Sequence, residues 1–170
     1  MRHPAWDIPA EVTVVHLFGS VSGTVAADHG LFLVLDERAD DIGDPDFSQD
    51  RICWSGRDAL FVASPSNATC RTSVTVQAWD GEPAAVDSTT WPDTDSTEVT
   101  LRTGTVYLSH LLDMAPVSDL LSVGPPGRYR VRVDVAGRAQ TRALLRSPDF
   151  DPVGRTVGPE RIVIGFWPAC

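Results

Sequence analysis

The residues of this chain that could do chemistry are concentrated in an acidic loop, residues 36–51. The loop contains seven acidic side chains, with Gly43 and Pro45 among them. Carboxylate oxygens in such loops are the ligands that Ca²⁺ prefers, but the spacing of an EF-hand loop is missing. Three interpretations follow: a solvated surface loop, a metal site, or an acidic patch that docks on a basic protein. The candidate contact residues are Asp40, Asp41, Asp44 and Asp46.

A second candidate is an arginine ladder, which consists of Arg128, Arg130 and Arg132. Alternation places these three side chains on one face of a strand, where guanidinium groups can bind an anion or an acidic protein surface. The alternative is pairing with acids on neighbouring strands, and Glu98 is one such acid. The sequence favours pairing of the arginines with acids on neighbouring strands.

Catalytic motifs are missing from the sequence. The four histidines lie at positions 3, 16, 29 and 110, and none has metal-ligand spacing to another His or Cys. There is no G-x-S-x-G nucleophile motif. The turn Gly124-Pro-Pro-Gly127 lacks the successive N–H groups that hold a phosphate, because proline donates none. We therefore predict no enzyme, no cofactor and no metal, and a hydrolase whose site is assembled by the fold is kept as an alternative.

The elements that would position these residues are strands. Residues 128–135 alternate strictly, with Tyr129, Val131, Val133 and Val135 on one face. Residues 31–35 form a continuous apolar run, which is typical of a strand buried on both faces. Other predicted strands cover 12–18, 52–54, 59–63, 71–79, 120–123 and 160–167. Residues 97–101 and 105–109 form either a hairpin or two strands separated by a bend.

This spacing of short strands predicts an all-β protein with little helix. We expect a single antiparallel β-sandwich of about eight strands, in which the last two long strands are neighbours. Residues 1–170 form one domain in this interpretation, and residues 1–11 form a polar lead that is flexible. A long connection is expected between the strand at 128–135 and the last strand.

Charge restricts the partners. Residues 1–100 have a net charge of −12 and residues 101–170 a net charge of +3, which together give −9. Duplex nucleic acid is disfavoured, and a cationic protein partner fits better. No apolar run is long enough for a membrane span, so no membrane partner is predicted. Asp7 and Glu11 precede the first apolar run, which is unlike a secretory signal, and a cytoplasmic location is expected.

The three cysteines have neither metal nor redox spacing. They are interpreted as two small buried residues, Cys53 and Cys70, and one loose thiol, Cys170. A bridge between Cys53 and Cys70 is the alternative for an exported protein.

A family resemblance lies in the C-terminal part of the chain, residues 70–168. Its order of motifs resembles small actinobacterial β-sandwich proteins without an assigned activity. More distantly, it resembles the competence protein J type of bacterial nuclease inhibitor, through a Pro-x-Gly-x-Tyr turn at Pro125 to Tyr129. The resemblance does not extend to the first 70 residues. The motifs are Trp79-Asp80-Gly81, Trp91, Glu98-Val-Thr-Leu101, Gly104-Thr-Val-Tyr-Leu108, Pro126 to Val133, Gly137-Arg138 and Glu160 to Pro168.

The resemblance implies no catalytic residues. Together with the charge, it predicts a non-enzymatic acidic protein that binds another protein, as an immunity protein or a nuclease inhibitor. The alternatives are a module that binds a metal or a small ligand through its acidic loops, and the fold-assembled hydrolase.

Overall fold

A computed structural model describes residues 13–170, which form ten strands and one short helix. The expected flexible lead, residues 1–11, lies outside the described part of the chain. The elements in order are β1 (Leu17–Val25), β2 (Leu31–Asp36), β3 (Cys53–Ser55), β4 (Ala59–Ala63), β5 (Cys70–Trp79), β6 (Asp93–Leu101), β7 (Thr105–His110), β8 (Leu121–Ser122), β9 (Gly127–Ala136), α1 (Arg138–Arg146) and β10 (Thr156–Pro168).

The strands form two five-stranded sheets. Sheet A has the order β1-β5-β10-β9-β6, and sheet B has the order β3-β4-β2-β7-β8. All pairs in sheet B are antiparallel. In sheet A, β10 pairs in parallel with β5 and antiparallel with β9, so the sheet is mixed. The expectation that the last two long strands are neighbours is confirmed, whereas a purely antiparallel arrangement is wrong.

One buried cluster joins the two sheets. The inward side chains of β9, from Tyr129 to Val135, meet Ile162 and Ile164 of β10 and the aliphatic residues of sheet B. The alternation seen in the sequence is the cause, because successive side chains of a strand point to opposite sides. Leu31–Asp36 lies in the middle of sheet B and is buried on both sides, as its continuous apolar run predicted.

Two predictions about strands were wrong in detail. The expected count of about eight is too low, since the structure has ten strands, and the short segments at 52–54 and 120–123 are both among them as β3 and β8. The first strand spans Leu17–Val25 rather than 12–18, so Gly23 lies within it rather than after it. A Cβ atom on Gly23 would lie 2.5 Å from the backbone oxygen of Val117, and only glycine fits this close approach.

The segments 97–101 and 105–109 are strands, but they do not form a hairpin. Asp93–Leu101 is an edge of sheet A, and Thr105–His110 pairs with β2 in sheet B. The second alternative is therefore correct, and the bend between them carries the chain from one sheet to the other.

Helix α1 lies in the segment that was predicted to be a long connection. It begins after Gly137, whose φ of 76° is in the left-handed region, and a Cβ atom there would lie 2.2 Å from the Pro159 oxygen. The helix buries Arg138 and Thr141 rather than an apolar stripe. Hydrophobic periodicity could not reveal it, since the buried side is polar.

Cys53 and Cys70 are buried free thiols and Cys170 is an exposed one, which confirms the first interpretation of the cysteines. Burial raises the pKa of Cys53 to about 12, so its thiol stays protonated and unreactive at neutral pH.

No helix within residues 13–170 has the length and the apolar character needed to cross a membrane.

The shared core predicts how stability responds to truncation. Ile164→Ala removes a side chain that is 0% exposed, and we expect a loss of about 2–5 kcal/mol in the free energy of unfolding. Val153→Ala is the matched control, since Val153 is 88% exposed, and its effect should stay within about 0.5 kcal/mol. Urea unfolding followed by tryptophan fluorescence measures both. Equal effects would show that the cluster is not the core.

Candidate protein-binding site

The acidic loop crosses the side of sheet B that points away from the shared core. Ala39 and Ile42 pack on a small cluster formed by Leu33, Leu35, Ala59 and Phe61. Phe47 lies edge-on against Trp54 and Phe61, with ring centroids 5.2 and 5.5 Å apart. These apolar anchors hold the loop down, and its carboxylates therefore point to solvent.

The four candidate aspartates are all exposed, and they fall into two pairs. Asp40 lies 3.0 Å from the Arg102 guanidinium, and Asp41 lies 2.8 Å from that of Arg57. Asp44 and Asp46 have no ion pair with any residue of the described chain. Hydrogen bonding to Arg102, reinforced by its charge, lowers the pKa of Asp40 below its ordinary value, so this carboxylate is ionised at neutral pH.

Asp36 does not belong to the exposed part of the loop. It ends β2 and is fully buried. Its carboxylate accepts hydrogen bonds from the backbone N–H groups of Thr103 and Gly104, at 2.8 and 3.2 Å, and from the Thr103 hydroxyl. It therefore stabilises the bend between β6 and β7, because a buried carboxylate needs several donors.

A clasp between Arg51 and Asp95 closes the far end of the loop. Arg51 donates two hydrogen bonds to the Asp95 carboxylate, at 2.9 and 3.2 Å. The same carboxylate accepts the backbone N–H groups of Ile52 and Cys53. Asp95 lies on β6 of sheet A and Cys53 on β3 of sheet B, so the clasp joins the edges of the two sheets.

Hydrogen bonds lower the pKa of the Asp95 carboxylate. Burial by itself raises its pKa, but the hydrogen bond from Arg51 and those from the N–H groups of Ile52, Cys53 and Ser96 outweigh burial. The pKa of Asp95 therefore lies below the ordinary value of 3.8.

A polar cleft of about 730 Å³ opens beside the clasp. Its walls are the end of the acidic loop with Phe47 and Asp50, the start of β6 with Asp93, and helix α1 with Arg142. The sequence did not indicate this cleft, because its walls come from segments distant in sequence that the fold brings together.

The arginine ladder lies on the side of sheet A that points away from the core. Arg128 and Arg130 are exposed and share Glu98 on β6, with Arg130 3.9 Å from its carboxylate. Arg132 is less exposed, and it donates to Asp134 and to the backbone oxygens of Pro83 and Ala84. The predicted cross-strand pairing with Glu98 is confirmed. The ladder and the acidic loop lie on different sheets, and no ion pair within residues 13–170 joins them.

A buried polar cluster lies at the end of the sheets where α1 begins. Glu160 of β10 is fully buried, and its carboxylate accepts from Arg138 at 2.9 Å and from Thr72 at 2.7 Å. It also accepts from the Ser64 hydroxyl, which follows β4. Arg138 also donates from Nη2 to the backbone oxygen of Ala63. We call these four side chains the Glu160 cluster; they connect both sheets and the helix.

The arrangement gives little support to metal or hydrolytic chemistry. Within residues 13–170, no three His, Cys, Asp or Glu side chains are placed to hold a metal ion. His16 lies 3.1 Å from Asp80 at an exposed position, and His110 lies 3.7 Å from Asp113. Neither pair includes a serine or cysteine nucleophile.

The structure has two sheets of five strands with a charged loop on one outer side, and this fold is shared with known proteins. ComJ from Bacillus subtilis, an inhibitor of the DNA degrading activity of NucA, matches with a TM-score of 0.56 and 9% identity. The match covers 92% of this chain and 99% of ComJ. The protein of crocagin biosynthetic gene J matches with a TM-score of 0.51 and 14% identity, over 90% of this chain and 100% of that one.

No family model matches the chain, and no curated protein matches it by sequence. The resemblance to ComJ-type inhibitors is confirmed, and it extends beyond residues 70–168 into the first 70 residues. At these identities the likeness establishes the fold alone.

Sequence reasoning missed the residues that hold the site in place. Gly137-Arg138 and Glu160 are in the motifs that carry the resemblance, but they were given no role. A useful signal was available at Glu160, because it is the only acid in the predicted strand at 160–167 and precedes the apolar run that begins at Ile162. Such a residue is buried only with a partner.

The Glu160 cluster predicts a large difference between two similar substitutions. In Glu160→Gln the Arg138 guanidinium stays buried without a counter-charge, and we expect a loss of about 3–5 kcal/mol in unfolding free energy. Glu98→Gln makes the same change in an exposed pair, and its unfolding midpoint should match that of the wild type. Urea unfolding at neutral pH measures both. If Glu160→Gln leaves the free energy of unfolding unchanged, the Glu160 cluster does not have the stabilising role assigned to it.

The low pKa of Asp95 predicts a dependence of stability on pH. A carboxylate whose pKa is lower in the folded state stabilises that state above its unfolded-state pKa. The contribution is lost as the pH falls through the folded-state value. Asp95→Asn should therefore cost about 1–3 kcal/mol at neutral pH, and less as the pH falls below 3.8. The urea midpoints of the wild type and of Asp95→Asn are measured from neutral pH to below pH 3.8. A difference in midpoint that does not change with pH would contradict the prediction.

Proposed function

We propose that the chain is a single β-sandwich domain that binds a cationic protein and inhibits it, and that this partner is a nuclease. The observation that carries the proposal is the fold match to ComJ, which covers 99% of that inhibitor. The match covers 92% of this chain and 99% of ComJ, so it is a likeness of the two whole folds rather than of one shared motif.

Charge supports the choice of partner. Residues 1–100 have a net charge of −12, and a nuclease needs a positive groove to hold phosphates. A negative surface speeds encounter with such a groove and can occupy it in place of DNA. The same charge disfavours duplex nucleic acid as a ligand of this chain.

The acidic loop is the surface that we propose makes the contact. Asp44 and Asp46 are free to pair with basic side chains of the partner, whereas Asp40 and Asp41, which already pair with Arg102 and Arg57, add exposed carboxylate beside them. Phe47 lies among them with 41% of its surface exposed, and aromatic residues are enriched in the cores of protein interfaces. The arginine ladder is the weaker candidate, because Glu98, Asp134 and backbone oxygens already bind its guanidinium groups.

We further propose a cytoplasmic location. The free thiols of Cys53 and Cys70 are consistent with a reducing compartment.

The experiment immobilises the chain, captures proteins from the native host at increasing salt, and assays each eluate for degradation of DNA. We expect nuclease activity in the eluate and its suppression when free chain is added back. A variant with Asp40, Asp41, Asp44 and Asp46 all changed to Asn should associate at least about 10-fold more slowly, because steering charge is lost. Association is measured by surface plasmon resonance with the captured nuclease.

The matched control changes four exposed aspartates elsewhere to Asn, namely Asp113, Asp119, Asp149 and Asp151. It removes the same net charge and should retain most of the association rate. Equal losses in both variants would exclude the loop as the contact surface. Absence of any nuclease activity in the eluates at low salt would exclude the function.

A further inference from the structure

The four edge strands of the two sheets are protected to different degrees. In sheet B, β3 and β8 have only three and two residues. In sheet A, β6 contains Asp93, Asp95 and Glu98, and the clasp binds Asp95 to the backbone of β3. Short length, charge and covering contacts are the ways in which proteins prevent an edge from pairing with another chain. Strand β1 is neither short nor charged, its one irregularity lies between Leu17 and Gly19 at its start, and no strand within residues 13–170 pairs with its free edge.

Strand β1 is long, uncharged and paired on one side only. It runs for nine residues with the sequence LFGSVSGTV, which contains neither a charged residue nor a proline. It pairs antiparallel with β5, and no other segment of residues 13–170 pairs with it. In such an edge strand, alternate backbone N–H and C=O groups point away from the sheet without a protein partner.

Apolar side chains lie next to this edge. Leu17 and Phe18 are exposed at the start of the strand. Leu120 is 57% exposed, and it adjoins Leu121, whose side chain lies against Gly19. The register of β1 shifts between Leu17 and Gly19, so the regular part of the edge is Gly19–Val25.

Five residues of the regular edge form a palindrome. Gly19-Ser20-Val21-Ser22-Gly23 reads the same in both directions around Val21. Two copies related by a two-fold axis at Val21 would place each Ser20 opposite the Ser22 of the other copy. Each Gly19 would likewise lie opposite a Gly23, and an interface of this kind is self-complementary. The strand is uncharged, so the pairing brings no like charges together although each chain has a net charge of −9.

We propose that β1 is a dimerisation edge, which pairs antiparallel with β1 of a second copy and extends sheet A across the dimer. Backbone hydrogen bonds join the two chains, and Leu17, Phe18 and Leu120 contribute apolar contact at the rim. A strand pair with a small rim buries less surface than a standard interface. The dimer is therefore weak and forms in the micromolar range.

Sedimentation velocity over a range of concentrations, from low micromolar to about 1 mM, tests this proposal. The wild type should shift from the mass of one chain towards that of two. Ser20→Lys places a charge on the exposed side of the edge, and it should shift the dissociation constant upwards at least about 10-fold. Ser96→Lys makes the same change on the exposed surface of β6, the other edge of sheet A, and should behave as the wild type.

A second measurement covers the case in which Ser20→Lys fails to fold. Hydrogen exchange of the wild-type backbone amides should slow with concentration at alternate positions within Gly19–Val25, and not in β6. A wild type that sediments as one chain at every concentration would overturn the proposal. So would an equal effect of the two lysine variants, or exchange in β1 that does not change with concentration.

Discussion

The buried carboxylate of Glu160 is the constraint on which the arrangement of the two sheets and the helix depends. A charge removed from water is tolerated only when a counter-charge and hydrogen bonds replace the lost hydration. Arg138 supplies the charge, and Ser64 and Thr72 supply hydroxyl groups. These residues come from α1, from the end of β4 and from β5. The requirement of one side chain therefore fixes the position of three elements.

A second carboxylate acts in the same way at the edge of the molecule. Asp95 of sheet A accepts backbone N–H groups of sheet B through Ile52 and Cys53, and Arg51 neutralises it. Asp36 of sheet B has the corresponding role at the bend at Thr103, through which the chain passes from sheet A to sheet B. Apolar contact supplies most of the stability, but it is not directional. The hydrogen bonds of these three carboxylates are directional, and they therefore fix how the two sheets are oriented relative to each other.

The elements that the sequence predicted are those that bury one face of apolar side chains. Cys70–Trp79 and Gly127–Ala136 were found because inward valines alternate with polar residues. Helix α1 was not found, since it buries Arg138 and Thr141 and leaves no apolar stripe. The parallel pairing of β10 with β5 was also missed, because strand order between segments distant in sequence is not encoded in local periodicity.

The site was predictable where it depends on composition and not where it depends on tertiary contacts. The acidic loop stands out as a run of aspartates, and Glu98 could be matched to Arg128 because both alternate on strands. In the sequence, nothing distinguishes Asp36 from the other aspartates of the loop. Its hydrogen-bond donors are at Thr103 and Gly104, which are 67 and 68 residues away. The cleft beside Arg142 could not be predicted for the same reason, since the segments that line it are distant in sequence and meet only after folding.

The two surfaces that we assign to binding can function together. Strand β1 is one edge of sheet A, whereas the clasp lies at the opposite edge, where β6 meets β3. The acidic loop packs on β2, β4 and β3, on the outer side of sheet B, through Ile42 and Phe47. Pairing through β1 therefore leaves the loops of both copies accessible. A dimer would present two negative surfaces, and a partner with two cationic sites, or two partners held together, would dissociate more slowly from it than from one chain.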